Sequence, residues 1–480
     1  MSLRKQATLG LVWTFSQQFG TQLISFIVSL FLARILLPAE FGLIGMIAVF
    51  ISIGKALVDS GLTQSIIRSK KLDQEDYSTV FFFNLAASFL IYLIIFFIAP
   101  FIADFYNQSI LVDILRLYCI TFIISAFSAV QLARLTQRMD FKTQTIIAIP
   151  SILIGGIVGI TMAYSGYGVW SLVWNQIITA LVSSIQIWIY SKWTPSFTFS
   201  LRKFKDHFNF GYKLTISSLL DRIFSNLYII VIGKFFAPSQ VGFYTRAETM
   251  KQLPVSNISM ALNKVTYPLF STIQDDNVRL KKVYKKLMRM VVFVIAPVLM
   301  ILAALAEPLF RFLFTEKWLP AVPYFQILCL SGILYPVHMY NLNVLKVKGR
   351  SDLFLKLAII KKVLVVILVV IGLQFGIYGI LWSQVIMSCV AFIINSFYTN
   401  KFINYSAFEQ IKDLIPIFLV SGLIGISVYL VDSYLQFSLD IARILVWGTT
   451  GTTLYLIICH VLNFEGTHEI KNIVKNVIEK

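Results

Sequence analysis

The sequence predicts an all-α polytopic membrane protein. About 14 transmembrane helices form two pseudo-symmetric six-helix lobes around a central cavity, and two of the helices follow as a C-terminal appendix. Composition, recurrent long apolar runs and an internal repeat lead to this expectation. Of 480 residues, 58% are hydrophobic and only 13% charged, with a mean hydropathy of +0.79. A soluble domain carries roughly 25% charged residues to cover its surface. A chain with half that share turns most of its surface towards something other than water. Apolar runs long enough to cross a ~30 Å hydrocarbon core as helix recur from end to end. They lack the period-2 alternation of an outer-membrane barrel.

The spans run roughly over 9–32, 42–66, 79–103, 112–134, 144–165, 168–190, 212–236, 241–270, 289–314, 322–346, 354–375, 377–400, 411–432 and 440–463. The first follows Met1-Ser2-Leu3-Arg4-Lys5 and carries Gln17 and Gln18. It has neither the short apolar core nor the small-x-small site of a cleaved signal peptide, so it is expected to be a membrane helix that starts in the cytoplasm. Hydropathy alone does not establish the second, seventh, eighth and tenth spans. Fourteen crossings put both termini in the cytoplasm, and the charges agree. The large majority of the 41 Lys and Arg residues fall on the predicted cytoplasmic side, as the positive-inside rule requires. The richest clusters are Arg202-Lys203-Phe204-Lys205 and the stretch from Arg279 to Arg289. The predicted outer loops at 104–111, 166–167 and 376 hold no Lys or Arg. The net charge of +18 is therefore read as a topology signal, and no nucleic-acid partner is expected. Cys119, Cys329, Cys389 and Cys459 each fall inside an apolar run without metal spacing, and are read as small packing residues. His338 is read as hydrogen-bonded packing.

The repeat supports the count independently. Ala33-Arg34-Ile35-Leu36-Leu37-Pro38-Ala39-Glu40-Phe41-Gly42 aligns with Gly233-Lys234-Phe235-Phe236-Ala237-Pro238-Ser239-Gln240-Val241-Gly242. Gly168, Trp174 and Gln176 match Gly376, Trp382 and Gln384, and Arg138-Met139-Asp140 matches Arg350-Ser351-Asp352. The expected organisation is an N-lobe at 1–205 (spans 1–6), a C-lobe at 206–402 (spans 7–12), and spans 13–14 with a short cytoplasmic tail at 403–480. Six spans return the chain to its starting side, so the repeats are parallel. The cavity between two such lobes is the usual substrate site.

Polar residues inside the spans locate candidate contacts. Span 1 presents Thr14, Gln18, Thr21, Gln22, Ser25 and Ser29 on one face, and span 7 presents Ser218, Asp221, Arg222, Ser225 and Asn226 at equivalent positions. A charge at membrane depth costs at least ~2.5–3.5 kcal/mol, so each needs a partner, a wet cavity or a function. The intramembrane cations are Lys55, Arg116, Arg222, Arg246, Lys251 and Lys264; the carboxylates are only Asp59, Asp221 and Glu248. Lys55 with Asp59 and Arg116 with Asp113 have the spacing to neutralise each other along a helix. The excess positive charge sits on spans 7 and 8 and suits an anionic substrate, since Arg and Lys are the natural phosphate partners. Candidate substrate contacts are thus Arg222, Arg246, Lys251, Lys264 and Lys55, with Gln18, Gln22 and Asn226 for polar groups. Asp59 and Glu248 are candidates for a coupling cation. No catalytic constellation, P-loop, metal motif or cofactor site is present, so neither an enzyme nor a built-in ATP drive is expected.

Several segments resemble a known family. They are Met1-Ser2-Leu3-Arg4, Leu32-Ala33-Arg34 with Phe41-Gly42-Leu43, Asp59-Ser60-Gly61 with Ser65-Ile66-Ile67, Phe210-Gly211-Tyr212-Lys213-Leu214-Thr215, Tyr267 to Asp276, and Glu316-Lys317-Trp318-Leu319-Pro320 followed by Pro323 and Gln326-Ile327-Leu328-Cys329. In this order, from residue 1 to about 400, they resemble the polysaccharide-transporter (oligosaccharide flippase) family, on its colanic-acid-exporter-like side. That family belongs to the multidrug/oligosaccharidyl-lipid/polysaccharide flippase superfamily. The resemblance implies a multi-pass protein of the bacterial inner membrane. It implies alternating-access movement of an undecaprenyl-diphosphate-linked oligosaccharide to the outer leaflet for O-antigen, capsule or exopolysaccharide synthesis. It also implies a polysaccharide polymerase and other assembly proteins as partners. A diphosphate needs cations and a sugar needs amides and hydroxyls, both of which the polar faces supply. Trp13, Tyr228 and Tyr244 offer either sugar-stacking faces or packing. Two alternatives stay open. An ion-coupled exporter of another substrate in the same superfamily would want a carboxylate-rich cavity, and a glycan polymerase or ligase would want a large outer loop.

Overall fold

A computed structural model describes residues 3–467 apart from Ser60, Lys70 and Gln436; the side chains of 3–12, 15 and 260–265 also lie outside the described residues. Among the described residues there are helices and turns and no strand. Compactness divides the chain into units 1–242 and 243–480.

The first unit holds α1 (Leu3–Ile35), α2 (Pro38–Asp59), α3 (Leu62–Arg68), α4 (Gln74–Tyr106), α5 (Leu111–Tyr118), α6 (Ile120–Gln137), α7 (Phe141–Tyr164), α8 (Trp170–Ser191), α9 (Leu201–Ser225) and α10 (Leu227–Phe235). It also holds the start of α11 (Pro238–Thr272). The second unit holds the rest of α11, then α12 (Asn277–Ala304), α13 (Ala306–Phe314), a 3-10 turn (Glu316–Ala321), α14 (Val322–Ile333), α15 (Tyr335–Val347), α16 (Ser351–Leu373), α17 (Gly376–Ile403), α18 (Ala407–Tyr434) and α19 (Asp440–Val461).

The distribution of side chains is that of a membrane protein. Large apolar residues such as Phe97, Phe101, Ile157, Leu419 and Leu423 are exposed, while Asn84, Gln131, Asn341 and Gln410 are fully buried. With no water in the hydrocarbon region, backbone polar groups are satisfied inside helices and polar side chains turn inward. Among the described residues, eleven helical spans, or twelve if the bent pair α9 and α10 is one, are long and apolar enough to cross a membrane. Fourteen were expected. The two that fall short are α11, which is polar along its length, and α16, which carries Lys356, Lys361 and Lys362.

Several expected spans are broken helices. The run at 42–66 is interrupted at Gly61, whose φ of +67 suits a residue without a side chain. A Cβ there would lie 2.5 Å from the Gly211 carbonyl oxygen of α9. The run at 112–134 divides at Cys119, and that at 322–346 divides at Leu334, before Pro336. The run at 212–236 bends by 45° between α9 and α10. The run at 289–314 is displaced. Its helix begins at Asn277 on an Asp276 cap and ends at Ala304, and α13 is separate. Hydropathy misses the charged first turns because Lys281 and Lys285 pair with Glu409 and Asp413 on α18, and Arg289 bridges Asp413 and Glu465. Of the cysteines, Cys119, Cys329 and Cys459 are buried as expected of packing residues; Cys389 is exposed.

The repeat recurs as structure. Helices end at Ile35 and Phe235, and the next begin at Pro38 and Pro238, a shift of 200 residues in both cases. The proline supplies the first residue of each following helix, where its missing N–H costs nothing. The two hairpins also meet. A Cβ on Gly42 would lie 1.7 Å from the Pro238 carbonyl oxygen, and one on Gly242 would lie 2.0 Å from that of Pro38. The contact is reciprocal, as expected of two equivalent segments facing each other. It needs glycine on both sides.

Polar locks hold each unit. In the first, Asp73 and Asp76 form a capping box on α4. Lys203 of α9 binds Asp73 and lies 3.1 Å from Glu75. Lys203, with the Asp76 backbone N–H, holds the Asp73 carboxyl down to about 2. A carboxylate depressed in this way stabilises the fold above its unfolded pKa and loses that effect as pH falls through about 2. His207 bridges Ser65 at 2.8 Å and Asp76 at 3.3 Å. In the second unit Asn341 joins Tyr284, Ser396, Thr399 and Gln410 in a buried network. Helices α18 and α19 are tied by Arg443, which donates to both oxygens of Asp432 at 2.8 and 2.7 Å.

Candidate functional site

Two helices of the first unit, α2 and α9, pack side by side and carry cations. Lys55 stands near the end of α2, and Arg222 in the last turn of α9, where the chain bends into α10. Asn226 caps that break, its amide donating to the Arg222 carbonyl at 2.7 Å. Asn226 is one of the amides expected among the substrate contacts, and it stands at the break beside Arg222. Both Lys55 and Arg222 are exposed on these adjacent helices. No ion pair joins Lys55 to Asp59 among the described residues, although their spacing allowed one. Asp59 is the last helical residue of α2, at the turn towards Gly61.

Lys55 and Asp59 open onto a cavity of about 420 Å³ inside this unit, lined also by Thr63, Asn84, Phe122, Ser125, Ser128 and Ser183. Asn84 is fully buried, and neither its Oδ1 nor its Nδ2 has a partner. A second cavity, of about 310 Å³, takes Ser25 and Ser29 from the α1 stripe together with Asn175, Gln176 and Thr179 of α8. Higher on α1, Gln18 is exposed and Gln22 half-buried. Arg116 lies over the Phe96 ring at 4.1 Å, with its Nε donating to the Phe96 carbonyl; no Arg116–Asp113 pair occurs among the described residues.

The remaining cations, Arg246, Lys251 and Lys264, belong to the second unit, and the first two have partners of their own. Arg246 is buried between Phe314 and Trp318, at 4.9 and 5.2 Å from the ring centroids. Trp318 is itself fully buried, so this is a packed cation–π cage. Lys251 is buried and binds Glu248 at 2.7 Å, and Gln252 donates to the other Glu248 oxygen at 2.9 Å. Glu248 is therefore engaged on both oxygens. Lys264 lies on α11, but its side chain is outside the described residues. Tyr244 is buried and accepts a hydrogen bond from Gln384, a residue of the repeated motif. His338 bonds Ser388 at 3.2 Å, as expected of packing.

Sequence reasoning missed Asn84. Asn84 is a lone amide in Phe81-Phe82-Phe83-Asn84-Leu85, and its depth in an apolar run was the available signal. Among the described residues no group of His, Cys, Asp and Glu could hold a metal ion.

Comparison with known proteins agrees with this architecture. The chain is 27% identical over 429 residues to the teichuronic acid biosynthesis protein TuaB of Bacillus subtilis (strain 168), covering 88% of this chain and 89% of the relative. It is 25% identical to the lipopolysaccharide biosynthesis protein WzxC of Escherichia coli (strain K12), covering 85% and 84%. It is 26% identical to the succinoglycan biosynthesis transport protein ExoT of Rhizobium meliloti (strain 1021), covering 75% and 73%. Its fold is similar to that of the lipid II flippase MurJ in an inward closed conformation, with a TM-score of 0.76, 16% identity, and coverage of 94% of this chain and 98% of that one. An inward-facing multidrug resistance MATE family transporter of the MOP superfamily gives a TM-score of 0.59 at 16% identity, covering 80% and 96%. The family described as "Polysaccharide biosynthesis protein" matches residues 31–323. The chain is thus a multi-pass membrane protein with the transporter fold shared by MurJ and MATE proteins, and it belongs to the polysaccharide biosynthesis protein family.

Proposed function

We propose that this protein is a flippase that moves an undecaprenyl-diphosphate-linked oligosaccharide from the cytoplasmic to the outer leaflet of the bacterial inner membrane by alternating access. The observation that carries the proposal is that the adjacent helices α2 and α9 carry the exposed cations Lys55 and Arg222. Cations on neighbouring helices suit an anion, and a diphosphate presents acceptors to both. The relatives' names, which speak of lipopolysaccharide biosynthesis and succinoglycan transport, favour a surface glycan as cargo. The lipid tail stays in the bilayer while the headgroup crosses. Arg222 and Lys55 make the diphosphate contacts. Arg246 and Lys251 hold α11 in place, and Lys264 is a further candidate for the diphosphate. Gln18 and Gln22 serve the headgroup's polar groups. Asp59 is the better candidate for a coupling cation, because Glu248 already binds Lys251 and Gln252. A polysaccharide polymerase and other assembly proteins would receive the product. Deleting the gene tests the proposal. The lipid-linked glycan of one surface polysaccharide should accumulate in the inner leaflet, and loss of surface glycan without that accumulation would contradict it.

The proposed topology has 14 crossings, two lobes divided near residue 205, and both termini in the cytoplasm. Cysteine labelling checks it, with exposed Cys389 replaced first. Ser109→Cys and Lys282→Cys introduce thiols at exposed positions. An impermeant maleimide should reach the first from outside intact cells and the second only after permeabilisation. The reverse at either site would overturn the topology.

A further inference from the structure

We infer that the cavity within the first unit is a sugar subsite, built to hold a neutral, hydroxyl-bearing ring of the cargo beside the diphosphate cations. This rests on the flippase proposal and adds to it a separate place for the glycan.

The inference starts from Asn84. Its side chain is fully buried, lines the cavity, and has both Oδ1 and Nδ2 without a partner. A buried amide left this way is costly, and leucine of similar size would avoid the cost. A partner that satisfies both atoms offers a donor and an acceptor. A metal cation offers no acceptor and an ionised phosphate offers no donor; water and a sugar hydroxyl each offer both, and the rest of the lining favours the sugar.

The rest of the lining fits the same chemistry. Ser125, Ser128 and Ser183 surround the space with hydroxyls, and Asp59 supplies a carboxylate that accepts from two vicinal hydroxyls. Phe122 provides an aromatic wall for the C–H face of a ring. That wall depends on Gly54, since a Cβ there would lie 2.5 Å from the Phe122 ring. Asp59 balances Lys55 in the lining, so the cavity is nearly neutral. At about 420 Å³ it falls within the range of small-ligand pockets, about 300–1,000 Å³. Lys55 is exposed in the lining, and Arg222 is exposed on the adjacent helix α9. A ring seated against Asn84 would leave its diphosphate towards those two cations.

Binding to the purified full-length protein in nanodiscs tests the subsite with two probes. One is undecaprenyl diphosphate without sugar. The other is the lipid-linked glycan extracted from cells lacking this protein. The wild type should bind the glycan-bearing lipid more tightly. Asn84→Leu should weaken that binding about tenfold, the loss expected for two neutral hydrogen bonds, and leave undecaprenyl diphosphate binding unchanged. Ser125→Ala, at an exposed position, should weaken it in the same selective way by a smaller factor, and decides the matter if Asn84→Leu does not fold. Arg222→Ala should weaken both probes. Wild-type affinity of Asn84→Leu for the glycan-bearing lipid, or equal loss for both probes, would overturn the subsite while the flippase proposal stands. Arg222→Ala with full affinity for both probes would instead count against the diphosphate contacts. A wild-type protein that binds neither probe would overturn both.

Discussion

Arg222→Ala should reduce export of the lipid-linked glycan by about 10–100-fold while the protein remains folded in the membrane. A charge-assisted contact to phosphate contributes roughly 1.5–3 kcal/mol, which is that range in affinity. The guanidinium is exposed at a helix break, so no packed core collapses when it is removed. Removing Arg222 therefore takes away a favourable interaction in the loaded protein and little that holds the empty one. The predicted signature is unchanged thermal stability with weakened lipid binding. Arg222→Lys should recover part of the loss, because an ammonium keeps the charge without the planar fork. Arg246→Ala should behave in the opposite way. It empties the cage between Phe314 and Trp318, so folded protein should decline while the remaining protein binds lipid normally. Measuring melting temperature and lipid binding on the same samples separates the two. Arg222→Ala with wild-type binding would remove the main support for diphosphate recognition.

Gly42→Val should yield little or no folded protein. The Cβ of any residue at 42 would fall 1.7 Å from the Pro238 carbonyl oxygen, far inside contact distance, and the opposing atom is backbone. No rotamer change relieves such a clash; one hairpin must move off the other. Overpacking a well-packed site costs about 1–3 kcal/mol and occasionally more, and a β-branched residue against a backbone carbonyl belongs at or beyond the upper end. Gly448→Ala is the control, because the nearest atom to its Cβ would be 3.8 Å away. It should leave yield and melting temperature unchanged. A monodisperse Gly42→Val protein melting like the wild type would mean that the hairpins do not meet as described.

The helical membrane architecture was legible because each apolar run carries its own signal. A chain of such runs needs no long-range information to be recognised. The hairpin repeat was legible for a similar reason, since proline and glycine mark backbone geometry locally. The helix breaks were less so. Cys119 is an ordinary residue in an apolar run, and only packing interrupts the helix there, whereas the break at Leu334 precedes Pro336, a local signal that hydropathy does not weigh. The start of α12 was misplaced because its lysines pair with acids on α18, more than a hundred residues away. Among the candidate residues, Lys55 and Arg222 were singled out as charges within apolar runs, which is a local property. Arg246 was found the same way, yet its partners Phe314 and Trp318 come from the loop region around α13, beyond any local pattern. The Lys251–Glu248 pair was readable from its i,i+3 spacing. Asn84 lacked a charge to draw attention, and only its depth in an apolar run set it apart.

The central claim is that this chain moves a lipid-linked glycan across a bilayer. The direct measurement uses purified protein in proteoliposomes loaded with the lipid-linked glycan extracted from cells that lack it. A membrane-impermeant reagent that modifies only outer-leaflet glycan reports the leaflet occupied. In sealed vesicles without protein about half of the glycan should stay protected, since a polar headgroup does not cross hydrocarbon unaided. Wild-type vesicles should lose most of that protection, and Arg222→Ala vesicles should retain it at early times. Protection that stays the same with and without wild-type protein, across imposed proton and sodium gradients, would contradict the account.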